Sequence, residues 1–395
     1  MTHYRVLAEP LPLTLPPGVR LDGQLAQAFA TAWHTAAGKI RALTDRHPDR
    51  FPLYTKGGRW AVDADAWTNW CEGFLGGQLW LLADHVTPEF RPVAEHYSAL
   101  IEHRKDDQSV HDLGFLFWPT WRRWAEADRD QARDAVVVHA GRTLAKRFNR
   151  KGRYLRSFLA ADSLFIDIMM NVGIVFHAAS RTADPELARI AVEHCLTTRR
   201  TLVRGDGSAS HEGIFDLETG QFLRQTTQQG WRDDGSWARG QSWALYGFGT
   251  AYRYTGDARF LATARACADF YRESTGNALI PPNDWAEPAP RTPYESSAAA
   301  VAAGGFFQLA GLVDDPVAAT SYADYALRIL ARLCEPEFLA RDDPDWDGVL
   351  KHGIYHESKA LGVDESVMWG DYWFLDAIDT VQRALQDPVN TEHGV

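Results

Sequence analysis

Apolar residues recur at helical spacing along almost the whole chain, and glycine, proline and aspartate stand at the breaks between these segments. The pattern predicts helices over residues 22–46, 66–85, 88–103, 111–125, 128–149, 163–180, 184–200, 237–255, 257–274, 295–312, 317–335 and 364–386. Segments 163–180, 237–255 and 295–312 carry little charge on any side, whereas 257–274 and 317–335 have a polar outer face. Buried helices that alternate with exposed ones predict an all-α protein, a double ring of helical hairpins called an (α/α)6 barrel.

Two long connections, 204–236 and 342–363, interrupt the helical pattern. Long loops in compact proteins tend to carry function. Alternating residues within 213–224 predict a short β-hairpin insertion in the first connection. No linker divides the chain, so residues 1–395 are predicted to form a single catalytic domain, with residues 1–20 as an irregular N-terminal arm.

The overall charge restricts the class of partner. The chain has 395 residues, a formal net charge of −11 and 15 tryptophans, which is more tryptophan than packing alone requires. An acidic surface disfavours nucleic acid as a partner, because phosphate binding needs an excess of lysine and arginine. A small anionic substrate stays open where a local basic cluster overrides the overall field.

The chain shows no targeting or membrane segment. It has no apolar run long enough to cross a membrane, and residues 1–18 lack the apolar core of a secretory signal. Its four cysteines, Cys71, Cys195, Cys267 and Cys334, lie far apart in apolar helical contexts. This usage predicts buried thiols in a reducing compartment, and hence a cytoplasmic protein without a membrane partner.

Asp167 is the first candidate for chemistry, because it lies in the strongly apolar stretch 164–171. Burial of a carboxylate favours its protonated form and raises its pKa, which makes a general acid available near neutral pH. Asp162 and Ser163 are candidate helix caps before it, and Asn171 would share its helix face and orient it. The alternative is a buried aspartate satisfied by a backbone donor.

Asp112 is the second carboxylate candidate, in the stretch HDLGF at 111–115. One interpretation is a helix N-cap, which an aspartate before an apolar run commonly forms. The other is a group that grips sugar hydroxyls beside Trp118 and Trp121, since aromatic faces stack on sugar rings.

A third cluster combines a cation with aromatic and amide groups. Arg239 and Trp243 are four residues apart, hence on one face of a predicted helix, with Gln241 beside them. An arginine near the start of a largely apolar helix favours recognition of a carboxylate. His211 and Gln229 flank this helix from the first long connection. Such a combination is typical of a carbohydrate enzyme.

Two metal-like patterns are discounted. The run 343–348 copies the start of a calcium-binding EF-hand loop, but its closing acidic position is Ile354, which cannot ligate. His352 and His356 have a zinc-like spacing without a third ligand nearby. The chain also lacks a P-loop and a dinucleotide-binding glycine motif. We therefore expect neither a metal nor a cofactor.

Taken together, these stretches resemble the unsaturated glucuronyl hydrolases, glycoside hydrolase family 88, over most of the chain. The resemblance rests on HDLGF at 111–115, DIMMN at 167–171, SWARGQSWALYGF at 236–248, the small-residue run 295–303, KHGIYH at 351–356 and DESVMWGDY at 364–372. The order of these six motifs is highly specific. The resemblance implies an (α/α)6 barrel.

The resemblance also implies an activity, namely removal of a 4,5-unsaturated glucuronic acid from the non-reducing end of lyase-generated oligosaccharides. An acid protonates the enol ether at carbon four, water adds at carbon five, and the hemiketal opens and expels the remaining sugar. By the motif match, Asp167 resembles the general acid/base and Asp112 the second essential aspartate. The residues implied to contact substrate are His111, His211, Gln229, Arg239 and Trp243, with Lys359 as a further anion-binding candidate.

Two departures from the family and several alternatives accompany this prediction. Leu75 stands where relatives commonly have an aromatic residue, and the stretch 356–361 lacks the Ser-x-x-Ser-x-Lys pattern of members that take sulfated fragments. The alternatives are an unsaturated rhamnogalacturonyl hydrolase acting on pectin fragments, a histidine-dependent sugar 2-epimerase and a non-catalytic sugar-binding protein. The expected partner is an anionic unsaturated oligosaccharide, and the protein is expected to be a monomer or homodimer.

Overall fold

The computed structural model describes residues 4–63, 68–290 and 293–386, and helices dominate it. The helices are α1 (Gly23–Arg46), α2 (Glu72–His85), α3 (Phe90–Leu100), α4 (Leu113–Phe117), α5 (Arg123–Asp128), α6 (Gln131–Ala145), α7 (Ile168–Asn171), α8 (Gly173–Thr182), α9 (Pro185–Thr201), α10 (Ala238–Thr255), α11 (Ala258–Thr275), α12 (Ser296–Ala310), α13 (Pro316–Leu333) and α14 (Met368–Gln386). The strands are β1 (Thr55–Lys56), β2 (Arg59–Trp60), β3 (Phe148–Asn149), β4 (Tyr154–Leu155), β5 (Ser163–Phe165), β6 (Glu212–Phe215), β7 (Phe222–Thr226), β8 (Gly353–His356) and β9 (Leu361–Glu365).

The helices form two concentric rings. The inner ring runs through α2, the pair α4 and α5, the pair α7 and α8, then α10, α12 and α14, and it closes because α14 packs against α2. The outer helices α1, α3, α6, α9, α11 and α13 each pack against an inner neighbour. This closed double ring confirms the predicted (α/α)6 barrel.

Small residues let the inner helices approach each other. Every residue of α12 is buried, and its sequence is mostly alanine, glycine and serine. A Cβ atom on Gly305 would lie 2.9 Å from Cγ of Leu245 on α10, so a larger residue there would force the two helices apart. The low charge that singled out segments 237–255 and 295–312 therefore reflects their position inside the barrel.

Five of the six outer helices begin with a side-chain cap from their own N-cap residue, α3 being the exception, whereas most inner helices do not. The side chain of an N-cap aspartate accepts a backbone N–H in the first turn of α1, α6, α9, α11 and α13, at Asp22, Asp130, Asp184, Asp257 and Asp315. By contrast, α2, α4, α7 and α10 begin without a side-chain cap from their N-cap residue. The uncapped starts of these four inner helices surround the cavity described below.

The predicted helix over 163–180 is wrong in its first third. Residues Ser163–Phe165 form β5, which pairs antiparallel with β6, and only then do α7 and α8 follow. The partner strand lies about fifty residues further along the chain, so local periodicity carries no trace of it. Asp162 and Ser163 are therefore not helix caps, and Asp167 sits in the turn between β5 and α7.

The last predicted helix, over 364–386, also begins later than the pattern indicates. Residues Leu361–Glu365 form β9, which pairs with β8, and α14 starts at Met368. The predicted β-hairpin in the first long connection is confirmed as β6 and β7. Within the ranges 4–63, 68–290 and 293–386, no helix has both the length and the apolar character needed to span a bilayer.

Candidate active site

A cavity of about 380 Å³ opens at one end of the inner ring. Its walls include most of the residues that the sequence singled out, namely Asp167, Asp112, His111, Gln229, Arg239 and Lys359. These residues come from segments far apart in sequence, and the barrel brings them together. The volume suits a buried sugar ring with part of a second one.

The walls of the cavity lie at the N-terminal ends of inner helices. Trp70 precedes α2, Asp112 precedes α4, Asp167 precedes α7, and Arg239 is in the first turn of α10. The N-terminal end of a helix carries partial positive charge and exposes unbonded N–H groups. Together with Arg239, these helix ends give an acidic protein a local site for an anionic ligand.

Asp167 has the properties of a general acid. Its side chain is 15% exposed, and burial raises its pKa to about 6 although the nearby Arg239 acts in the opposite direction. Its Oδ2 atom accepts no hydrogen bond from the part of the chain that the structure describes. Because Asp167 lines the cavity, its carboxyl group is available to a bound substrate.

His211 lies behind Asp167, with its Nε2 atom 3.6 Å from Asp167 Oδ2. Its Nδ1 atom accepts the backbone N–H groups of Gln228 and Gln229, at 3.1 and 3.3 Å. Since Nδ1 is an acceptor, the ring proton of the neutral imidazole is on Nε2 and points towards Asp167. Burial lowers the pKa of His211 to about 3, so the ring stays neutral, and its Nε2 atom faces the acid at a distance longer than a hydrogen bond.

Asp112 and His111 repeat this arrangement on the other side of the cavity. His111 Nδ1 accepts the backbone N–H of Phe158 at 2.9 Å, and its Nε2 atom lies 3.3 Å from Asp112 Oδ1. Burial raises the pKa of Asp112 well above its usual value, and the charge of Asp167 raises it further. The two aspartates therefore oppose each other's ionisation, which favours a protonated carboxyl group in the cavity.

Asp112 does not cap α4 with its side chain. It stands at the N-cap position, but its carboxyl group makes no hydrogen bond to the first turn. The N–H of Phe115 in that turn is instead satisfied by Asn171 Oδ1 at 2.9 Å. The side chain of Asp112 is thus left for the cavity, and the capping interpretation is wrong.

Asn171 ties the two acid-bearing segments together rather than orienting a carboxyl group. While its Oδ1 atom accepts from α4, its Nδ2 atom donates to the backbone oxygen of Asp167 at 3.1 Å. Gly114 permits this contact, because a Cβ atom there would lie 2.6 Å from Asn171 Cα. The sequence identified the right residue, but its role is to fix the spacing between Asp112 and Asp167.

Arg239 is held rigidly in the cavity wall. Its Nη1 atom donates to Ile354 O at 2.5 Å, and its Nη2 atom donates to Tyr355 O at 3.0 Å and to Gln229 Oε1 at 2.6 Å. These bonds fix the plane of the guanidinium group, so its orientation is set before a ligand arrives.

Aromatic rings and a buried carboxylate complete the surroundings of Arg239. The guanidinium carbon lies 4.3 Å from the ring of Trp237 and 4.9 Å from that of Trp369, which are cation–π distances. Glu295 is 3.9 Å from Arg239 Nη1 and compensates part of the buried charge. A desolvated cation with this support attracts an anion more strongly than an exposed one does.

Three predicted contacts lie elsewhere. Trp243 is 1% exposed and packs against Phe115, 5.2 Å between ring centroids, without lining the cavity. Trp121 is buried and donates its indole N–H to Ser98 O, while Trp118 faces a different cavity. Spacing of four residues places side chains on one helix face but does not say which inner element that face meets.

The sequence missed several aromatic walls of the cavity. These walls are Trp70, Phe158, Phe165, Tyr355 and His356. Tyr355 and His356 belong to the KHGIYH motif, whose histidine spacing drew attention to metal binding instead. Leu75 is fully buried in α2, so the departure at that position does not alter the cavity wall that Trp70 provides.

The metal-like residues have other partners. Asp347 accepts hydrogen bonds from Arg46 and Arg59, each at 3.0 Å, and His352 pairs with Asp364 at 2.6 Å. In the described segments of the chain, no group of three or more His, Cys, Asp or Glu side chains is placed to hold a metal ion.

Known proteins share both sequence and fold with this chain. An unsaturated glucuronyl hydrolase from Formosa agariphila is 30% identical over 327 residues, which are 80% of this chain and 81% of that protein. An unsaturated chondroitin disaccharide hydrolase from Streptococcus pneumoniae is 30% identical over 335 residues, 79% of this chain and 81% of that protein. A crystal structure of unsaturated glucuronyl hydrolase from Bacillus sp. GL1 is similar with a TM-score of 0.84 and 29% identity, covering 90% of this chain and 97% of that one. No protein-family profile matches the chain.

The barrel, the acidic pair in its cavity and these relatives define a glycoside hydrolase. Identity at this level extends along most of the chain rather than over one motif. The chain belongs to the unsaturated glucuronyl hydrolases.

Proposed function

We propose that the cavity removes a 4,5-unsaturated glucuronic acid from the non-reducing end of oligosaccharides that polysaccharide lyases produce. The observation that carries the proposal is Asp167, a carboxyl group whose pKa is raised to about 6 by burial and which lines the cavity with Arg239. Such an acid retains part of its proton near neutral pH and can give it to an electron-rich double bond.

The reaction is a hydration followed by ring opening. Asp167 gives its proton to carbon four of the enol ether, and water adds its oxygen to carbon five. The proton that this water loses returns to Asp167, which regenerates the acid. The resulting hemiketal opens and the remaining sugar leaves, so that one water is consumed per linkage cleaved. No glycosyl-enzyme intermediate is formed, and the separation of two carboxylates does not set the stereochemistry.

The other residues bind and orient. Arg239, with Gln229 against it, receives the uronate carboxylate, while Asp112, supported by His111, accepts hydrogen bonds from ring hydroxyls. His211 stabilises the carboxylate that Asp167 becomes after donating its proton. These roles are supported by the common cavity that Arg239, Gln229, Asp112 and His111 line, and by the buried position of His211 behind Asp167.

The activity is expected to decline as pH rises through about 6, the raised pKa of Asp167. Only the protonated carboxyl group can donate, and its population falls about tenfold for each pH unit above the pKa. A profile of kcat/KM against pH tests this expectation, with Asp162→Asn as a control outside the cavity that should keep the same midpoint. An activity that increases across the same range would contradict the assignment.

We also propose that the chain is one catalytic domain that acts in the cytoplasm as a monomer or homodimer. Closure of the inner ring between α14 and α2 supports a single domain. Four buried cysteines without disulfides support a reducing compartment. Sedimentation of the purified protein distinguishes monomer from dimer.

The proposed function is tested with unsaturated disaccharides from digests of unsulfated chondroitin, hyaluronan, heparin, xanthan and pectin. Loss of the ultraviolet absorbance of the conjugated double bond reports hydration directly. We expect loss with at least one glucuronyl compound and none with the pectin-derived rhamnogalacturonyl compound. Absorbance that persists with every glucuronyl compound would overturn the proposal, and turnover of the pectin compound alone would favour the rhamnogalacturonyl alternative.

A further inference from the structure

Another buried carboxylate lies beside the segment that carries Asp167. Glu212 is 1% exposed and begins β6, which pairs with β5 so that Glu212 is opposite Phe165. Asp167 follows Phe165 by two residues, and the N–H of Ile166 between them donates to His211 O at 2.9 Å. The pairing of the two strands therefore fixes Glu212 next to the turn from which Asp167 enters the cavity.

Both oxygen atoms of the Glu212 carboxylate are bound by donors. Oε1 accepts the hydroxyl group of Ser163 on β5, and Oε2 accepts Gln228 Nε2 at 2.8 Å. Hydrogen bonds from neutral donors favour the ionised form of a carboxyl group. Glu212 is therefore a negative charge held in one place.

Gln228 connects this charge with the cavity. Its side chain lines the cavity and donates to Glu212, while its backbone N–H donates to His211 Nδ1 at 3.1 Å. Glu212 itself does not line the cavity. It thus lies behind the wall, where it can influence Asp167 without contacting a bound substrate.

Opposite charges act on Asp167. Burial raises its pKa to about 6; among the charges, Arg239 lowers this pKa and Glu212 raises it. Both charged residues are 1% exposed, so salt screens them weakly. Glu295 also opposes Arg239, at 3.9 Å from its Nη1 atom. Without Glu212, the attraction of Arg239 would favour the ionised form of Asp167 more strongly.

The other ionisable groups around the cavity leave this balance intact. Three histidines are neutral because burial lowers the pKa of each, namely His111, His211 and His356. Burial, and then the charge of Asp167, raises the pKa of Asp112 well above its usual value, which favours its neutral form. Lys359 is exposed, so solvent screens its charge.

We propose that Glu212 is a positioning residue for the reaction, whose fixed negative charge keeps the proton on Asp167 until the substrate receives it. This inference rests on the proposed function, in which Asp167 is the general acid. Such a neighbour helps a general acid, because only the protonated carboxyl group can donate.

The test is the variant Glu212→Gln, which removes the charge and keeps the shape. The glutamine oxygen still accepts from Gln228, and its amide group donates to Ser163 Oγ. The midpoint of the profile of kcat/KM against pH is expected to fall by roughly 0.5 to 1 pH unit, because loss of the anion eases ionisation of Asp167. At pH 7 this shift lowers kcat/KM by about three- to tenfold, whereas at a pH of about 5 the variant approaches the wild-type value.

Recovery at low pH separates the effect of charge from structural damage, because a distorted cavity would stay slow at every pH. The matched control is Glu193→Gln on α9, a glutamate that is 12% exposed and lies 2.7 Å from Arg189. It makes the same change in net charge and should keep the wild-type midpoint. The variant Glu212→Asp keeps the carboxylate and should also keep the midpoint, which tests the role of the charge if the glutamine variant does not fold.

Three results would overturn this inference. They are a folded Glu212→Gln protein with the wild-type midpoint, a loss of activity in that variant that is equal at every pH, and a Glu212→Asp protein whose midpoint falls by 0.5 pH unit or more, roughly the shift expected from loss of the charge. Failure of the proposed function has a different signature, since the wild-type protein would then consume no unsaturated glucuronyl disaccharide.

Discussion

The variant Asp167→Asn is expected to lose about 10³-fold in kcat while its KM changes little, as the loss of one positioned proton donor predicts. Asparagine has nearly the same shape and keeps the packing, but its amide cannot give a proton to carbon four. The substrate still meets Arg239 and Asp112, so binding is retained. Decay of the ultraviolet absorbance of the double bond, measured over a range of substrate concentrations, separates kcat from KM.

The control for this variant is Asp162→Asn, which removes an equal charge five residues earlier, outside the cavity. It should keep the wild-type rate and melting temperature. An Asp167→Asn protein that turned over at the wild-type rate would remove Asp167 from the mechanism. That result would favour the histidine-dependent epimerase alternative. The structure gives this alternative little support, because His111 and His211 are neutral and the Nδ1 atom of each accepts a backbone N–H.

The second large effect is expected for Arg239→Lys, which should lose about 10²-fold or more in kcat/KM, mostly through KM. Lysine keeps the charge, but it cannot bond Ile354 O, Tyr355 O and Gln229 Oε1 while presenting a planar fork to a carboxylate. Steady-state kinetics with the preferred disaccharide gives the loss. Arg150→Lys, an exposed arginine paired with Glu186, is the matched control.

A substrate whose uronate carboxylate is methyl-esterified completes this experiment. If Arg239 binds that carboxylate, the ester is a poor substrate for the wild-type protein. The kcat/KM of Arg239→Lys for the ester is then only slightly below that of the wild type. If Arg239→Lys lowers kcat/KM by the same factor for the acid and for the ester, the arginine acts only through the structure of the cavity wall. Thermal unfolding of the variant identifies a general loss of stability.

The double ring of helices could be predicted because buried helices contain few charged residues, whereas exposed helices keep a polar face. Segments 237–255 and 295–312 carry little charge, and they are inner helices α10 and α12. Segments 257–274 and 317–335 keep one polar face, and they are outer helices α11 and α13. The alternation between these two compositions follows from the fold itself.

The candidate site was less predictable, because contacts between distant segments leave little local trace. Asp167 and Arg239 stood out as charged groups in apolar surroundings, which burial confirmed. The sequence did not predict that Phe158 lines the cavity, because an aromatic residue in a loop can lie either in the core or at the surface. Trp243 is on the same helix as Arg239, but its ring packs into the aromatic core. Sequence spacing alone cannot show whether such a ring faces the core or the cavity.

Most outer helices are capped and most inner helices are not, and this difference implies a trade-off between stability and function. A side-chain cap on α10, whose N-cap residue is Trp237, would add about 1 kcal/mol to the free energy of unfolding. It would also place a carboxylate or hydroxyl group where the cavity receives its anionic ligand. The protein therefore lacks this stabilisation at the start of α10, where an added cap would compete with the substrate, and has it in five outer helices, which do not line the cavity.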